Sequence, residues 1–238
     1  MNVTSLLNYY RSQQYTPTSS VSGVSASVEK AFAKATARME GQIASTNVQV
    51  SAYGQVKSGV AQVQDAAKSL ASGKATAVAD LKKGVQALVD AYNSTRTTAA
   101  TASGNAAATA SESLRQTATT DTAKADWQSL GVTVNRDGSL SLDSKALEAA
   151  YQSSASSVQS AAKSVGGAFS TTANSVLSSN GSLNTTIDAL NAKVQSLEAR
   201  KTDQQNAAKA AMDQIGQQAS NFNSAFSGIQ SYRNIFSL

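Results

Sequence analysis

The chain contains no cysteine and no histidine. The first absence excludes disulfides, thiolate nucleophiles and cysteine-ligated zinc. The second removes the usual general base and the side chain that titrates near neutral pH. Proline and tryptophan occur once each, and aromatics make up only 5% of the 238 residues. Apolar residues reach 41%, much of it alanine, so the packing to expect is helix against helix rather than a thick core. Charged residues are 15%, against about 25% in an average domain. Ser, Thr, Asn and Gln fill the surface instead, which suits subunits that pack against copies of themselves. No window approaches the roughly 20 apolar residues of a membrane span. The opening MNVTSLLNYYRSQQ has neither the basic leader nor the apolar run of a secretory signal. Membrane insertion and export through a cleaved Sec signal are therefore not expected.

The net charge is +5 and the pI about 9.4. The cations (Lys30, Lys34, Arg38, Lys57, Lys68, Lys74) are scattered, without the dense runs and interleaved aromatics of a nucleic-acid surface. No nucleic-acid partner is expected. The acidic residues do not cluster like a metal site. Ser164-Val165-Gly166-Gly167 lacks the lysine and the preceding strand of a phosphate loop. Asn135-Arg136-Asp137-Gly138 lacks the other spaced ligands of a calcium loop. With no histidine to activate a serine, the expectation is a protein that is not an enzyme. It has no catalytic, metal or cofactor-binding residues to name, and no cofactor.

What is present is a long heptad pattern at the C-terminal end. Leu183, Ile187, Leu190, Val194 and Leu197 step by four and three, and the series continues to Phe236 with Lys201, Gln204 and Gln218 as its polar members. A 3.5-residue period held this long predicts a coiled-coil seam, on a helix roughly 80 Å long. A second series begins at Val28, Phe32, Ala35 and Met39, passes Gln42, Thr46 and Gln49, and resumes at Tyr53, Val56, Val60, Val63, Ala67 and Leu70. The two helices are expected to pair antiparallel, with Leu70 opposite Leu183, Gln49 opposite Gln204 and Thr46 near Lys201. In that register their polar layers coincide. The half of the C-terminal helix from Leu183 to Ala211 then pairs within the subunit, against the stretch from Tyr53 back towards Phe32.

Between them, Val78, Leu81, Val85, Leu88 and Tyr92 mark a third helix, to about Arg96. Thr97 to Ala110 either continues it or loops, and Glu112 to Arg115 suggest a further turn or two. Val132 and Val134, then Leu140 and Leu142, alternate around Asn135–Gly138 and predict a β-hairpin. Asp143 is placed to cap a helix from Ser144 to about Tyr151. A helix over Ala155 to Leu177 follows.

At the hairpin the sequence resembles a known family. Leu130-Gly131-Val132-Thr133, then Asp137 to Asp143 (DGSLSLD), then Leu147 to Ala150, are similar to the C-terminal region of the bacterial flagellar filament-capping protein, or flagellar hook-associated protein 2. Gln42 to Leu70 resembles that family's N-terminal coiled-coil segment around SAxGQLKSxL, and Leu88 to Asn93 (LVDAYN) its FVDAYN helix. The resemblance spans roughly Glu40 to Leu238. It departs in one respect: the family carries a β-rich head between those two segments, and here only a short linker joins Leu70 to Val85. What remains resembles the leg of the capping protein.

The expected fold is mainly α, a long antiparallel coiled coil of N- and C-terminal helices with a small helical domain carrying one β-hairpin. The expected divisions are a mobile segment 1–24, a coiled-coil helix 25–71, a helical domain 72–181 with its hairpin at 132–142, and a coiled-coil helix 182–238. The resemblance implies a structural, self-assembling protein of the flagellar axis, secreted by type III export and docking at the filament tip or hook–filament junction to aid flagellin assembly. Its implied partners are copies of itself, flagellin or a hook–filament junction protein, and an export chaperone on the C-terminus. Another type III-exported coiled-coil subunit, flagellin-like or translocator, and a cytosolic coiled-coil scaffold are the alternatives. The expected self-assembly interface is Leu6, Leu7, Tyr9 and Tyr10 with Ile215, Phe222, Phe226, Ile229, Tyr232, Ile235, Phe236 and Leu238. From Ile215 on, the helix is apolar on more sides than one partner helix covers.

Overall fold

A computed structural model describes residues 17–75 and 77–236, with side-chain surroundings for 26–75 and 77–232. The fold is mainly α. In chain order it comprises α1 (Pro17–Ala71), α2 (Val78–Thr101), α3 (Asn105–Thr119), α4 (Asp121–Ser129), β1 (Val132–Val134), β2 (Leu140–Leu142), α5 (Ser144–Ser153), α6 (Ala155–Leu177) and α7 (Ser182–Phe236). The strands form a two-stranded antiparallel hairpin with Val132 across from Leu142 and Val134 across from Leu140. Asp143 caps α5 as its sequence position implies, its Oδ1 accepting from the Lys145 and Ala146 amides at 2.9 and 3.1 Å.

The chain divides into two units, residues 45–194 and the pair of stretches 1–44 and 195–238. The first is a helical domain with a single core. Its buried side chains include Tyr53, Val56, Val60, Val63, Ala67 and Leu70 of α1, every member of the second half of that heptad series. Their seam belongs to the domain's core, which also takes in Leu183 of α7, with Ile187 and Leu190 packed against it. Gly166 of α6 lies so close to α1 that an added Cβ would sit 2.5 Å from the Ala67 carbonyl oxygen and 2.6 Å from the Ala71 amide. Gln64 of α1 donates to Asn174 of α6 at 3.4 Å. Here α6 runs antiparallel to α1 and takes the place assigned to the start of α7. Gly166 is thus a contact glycine, whereas an added Cβ at Gly167 would meet nothing within 4 Å.

Further differences from the sequence reading are local. α1 is already helical over residues 17–24, ahead of the expected division at residue 25. The compact unit reaches beyond 72–181 at both ends, because the α1 seam and Leu183 belong to its core. α4 carries only two buried side chains, Ala123 and Trp127, too few to show a period. It is started by Thr120, whose hydroxyl accepts from the Ala123 amide at 3.2 Å. The Ala/Thr/Ser run after Arg96 resolves as the end of α2, a break at Ser103-Gly104, and α3. At that break Gly104 has φ 117° and the Tyr53 hydroxyl donates to the Ser103 carbonyl at 3.0 Å.

In the second unit, Lys201 Nζ of α7 lies 2.9 Å from Glu40 Oε1 of α1. That pair sets a register different from the one expected from matching polar layers. Lys201 meets Glu40, not the neighbourhood of Thr46, and against the expected Leu70–Leu183 and Gln49–Gln204 pairs the shift is about 18 Å along the helix. Gln49 and Gln204 therefore do not form a shared layer. Gln204 keeps a buried Oε1 without a hydrogen-bond partner.

Candidate assembly surface

The face of α7 that meets α1 can be followed by burial. Leu197 is buried, and Lys201, Gln204, Ala208, Ala211 and Ile215 are half-buried at the expected four-three spacing. Ala219 is the last half-buried side chain, and every residue from Ser220 to Tyr232 is exposed. The composition does not become polar where the burial stops. Phe222, Phe226, Ile229 and Tyr232 are 54%, 48%, 60% and 65% exposed. At 100° per residue these four fall within an arc of about 120°, so they form one stripe on the seam phase of the buried stretch before it. Between Asp213 and Arg233 the chain has no charged residue.

Ile215, Phe222, Phe226, Ile229 and Tyr232 of the expected interface therefore share one side of α7, the first half-buried and the rest exposed. Leu6, Leu7, Tyr9, Tyr10 and Leu238, and the side chains of Ile235 and Phe236, lie outside the described residues. Burying a large apolar side chain fully contributes about 1.5–3 kcal/mol. Half-exposed side chains have about half of that left to gain, so the four together offer roughly 5 kcal/mol. Association costs an estimated 4 kcal/mol or more in lost freedom. One such stripe alone makes a weak pair, and repetition along an array makes a stable one.

The second feature lies in the helical domain and was not legible as a site. Two of the three segments quoted for the resemblance, LVDAYN and DGSLSLD, touch there. The Tyr92 hydroxyl donates to the Gly138 carbonyl at 3.0 Å. Asn93 holds strand β2 at both backbone groups, donating to the Leu140 carbonyl at 2.7 Å and accepting from the Leu140 amide at 2.9 Å. Arg96 donates to the Asp137 carbonyl and lies 5.9 Å from the centre of the Tyr92 ring. Gly138 has φ 78°, which the tight turn requires. Behind the hairpin, Phe169 meets Tyr92 and Trp127 edge-on at 5.9 and 5.7 Å. Burial raises the Tyr92 phenol above its ordinary value, against the lowering influence of Arg96 and Arg115. The Ser139 hydroxyl and amide, both donating to Asp137, hold that carboxyl below the usual range. The polar Asn93 following two buried positions was the available sequence signal.

No family model, curated protein or solved structure matches this chain. Its chemistry is read from its own geometry. An open cleft of about 610 Å³ runs beside α2 and α5, lined by Val78, Lys82, Gln86, Ala87 and Glu148 among others. Lys82 and Glu148 pair across it at 2.9 Å and are both near half exposure; such pairs contribute about 0–1 kcal/mol. Among the described residues, no three acidic side chains gather where a metal could be held, and no helix is long and apolar enough to cross a membrane.

Proposed function

We propose that the protein is a non-enzymatic, self-assembling structural subunit of the bacterial flagellar axis, related to the leg of the filament cap. The carrying observation is the apolar stripe Phe222–Tyr232, exposed on a helix whose preceding turns bury the same face. A helix earns most of its stability from packing one face, and a surface this apolar and uncharged marks an interaction site. The hairpin clamp supports the resemblance, since it gives a structural reason for LVDAYN and DGSLSLD to occur in one chain. In this reading the subunit leaves the cell by type III export. It docks on copies of itself and on flagellin or a hook–filament junction protein at the filament tip or junction, where it aids flagellin assembly. A chaperone covers the stripe before export.

Two measurements test this. Deleting Phe222–Leu238 leaves a helical subunit that no longer assembles; normal assembly of the truncated chain overturns the role of the stripe. Culture medium and sheared filaments, with and without the flagellar export apparatus, are probed for the protein. Its presence in filaments only with the apparatus is expected. Secretion without filament incorporation favours another exported coiled-coil subunit, and retention in the cytosol favours a scaffold.

A further inference from the structure

α7 continues as helix to Phe236, roughly four turns past Ala219, its last half-buried side chain. The seam of those turns is Phe222, Ala225, Ile229 and Tyr232, with Phe226 beside it, and all five are exposed. Along the seam the sizes run large, small, large, large, and this order complements its own reverse. Let a second copy of α7 lie antiparallel about residue 227. Phe222 then faces Tyr232 of the second copy and Ala225 faces its Ile229, each pairing occurring twice. Every layer has a large side chain from at least one copy. Each alanine lies under an isoleucine, an alternation that lets layers interdigitate. The two Phe226 positions, on one flank of the seam, lie only about 3 Å apart along the axis, which allows an aromatic pair.

Other arrangements fit less well. A parallel pair stacks Ala225 on Ala225 between bulky layers, which leaves a void. It also sets Asp213 level with Asp213, whereas the antiparallel pair keeps those carboxylates at opposite ends and opposes the helix dipoles. Sliding the antiparallel pair one heptad towards the helix start sets Ile229 against Gln218, and Tyr232 against Ile215, which is already half-buried. No charge lies between Asp213 and Arg233, so neither copy brings an ionised group to be desolvated at the pair's centre. We infer that the stripe's occupant is the same stripe of a second copy, antiparallel and two-fold symmetric about residue 227. This rests on the assembly reading for its role and on the stripe alone for its geometry. Four side chains of this size, about half exposed, leave about 400 Å² on each copy. Two copies bury about 800 Å², short of the roughly 1,200 Å² of a standard interface. The pair therefore forms in concentrated solution or where an array holds subunits together.

The chain lacks cysteine, so one introduced thiol carries the only nitroxide label. An added Cβ at Gly228 or Gly216 meets nothing within 4 Å, and both positions lie outside the arc of the stripe. Full-length Gly228→Cys and Gly216→Cys are labelled separately and measured by pulsed EPR in concentrated solution. In the antiparallel pair, position 228 lies about 3 Å along the axis from its copy, and position 216 about 33 Å. With the helix axes about 9 Å apart, a distance under about 20 Å is expected at 228 and one above about 30 Å at 216. Short distances at both positions mean a parallel pair, and coupling at neither means no pair. Either result overturns the inference, as does a shorter distance at 216 than at 228. The truncation of Phe222–Leu238 reads assembly separately. Assembly lost on truncation while the label distances fail would leave the stripe its role and remove the second copy as its occupant.

Discussion

At the scale of single residues, the most informative side chains are Tyr92 and Asn93, two of the three that hold the hairpin. Asn93 satisfies both backbone groups of the buried Leu140. Asn93→Ala strands that amide and carbonyl, and each orphaned group costs about 1–3 kcal/mol. A loss of about 2–3 kcal/mol is expected, read as a lower urea midpoint at unchanged m-value. Tyr92→Phe keeps the ring packing and loses one hydrogen bond, worth about 1 kcal/mol. It also changes the response to alkali. The phenol's folded value is raised by burial, so its stabilising contribution is complete below the unfolded value near 10 and is lost as pH rises through the folded one. Thermal melts from pH 8 to 11 are expected to show the wild type falling more steeply than Tyr92→Phe. Parallel curves would show that this phenol does not titrate with unfolding.

At the scale of elements, the spacing of apolar residues was a sufficient guide wherever a helix has one buried face. The α1 series from Tyr53 to Leu70 is buried member for member, and α6 occupies the predicted range. The β-hairpin was legible from its alternation and its Asn135–Gly138 turn. α4 was not, because two buried residues make no period. Helix partners were less legible than helices. A heptad series shows that a face is covered and not by what, so α6 could stand where α7 was expected. The contact that decides it is Gly166 against the α1 backbone, a close approach that a small residue permits and a hydrophobic pattern does not register. Gly166→Ala forces a Cβ to 2.5 Å from a main-chain oxygen, a clash that backbone movement must relieve. About 1–3 kcal/mol of destabilisation is expected, whereas Gly167→Ala, where an added Cβ meets nothing, is neutral or gains up to about 1 kcal/mol of helix propensity. Equal melting shifts for the two variants would mean that the α1–α6 approach is looser than described. The Glu40–Lys201 pair marks the register without supplying much energy, since both side chains are partly solvated and such pairs contribute about 0–1 kcal/mol.

At the scale of the whole molecule, folding and the proposed assembly would draw on different residues. The buried apolar core belongs almost wholly to residues 45–194, and the stripe on α7 contributes nothing to it. The stripe's apolar character was legible in the sequence, as was an excess of apolar surface from Ile215 on over what one partner helix covers. The point where burial stops was not, because the heptad count runs on unbroken past Ala219 while the burial ends there. This separation makes a sharp expectation for Phe226→Gln/Ile229→Gln. Both side chains are about half exposed or more, and surface changes of this kind stay within about 0.5 kcal/mol. The melting transition of the helical domain is therefore expected to stand unchanged. Assembly, which would draw roughly half of its apolar gain from these two positions, is expected to weaken by about tenfold or more in apparent affinity, since 1.4 kcal/mol is a factor of ten. Light scattering or sedimentation against subunit concentration reads the second quantity, and calorimetry reads the first. A lowered melting temperature would move the stripe from assembly to folding, and unchanged sedimentation would remove it from assembly.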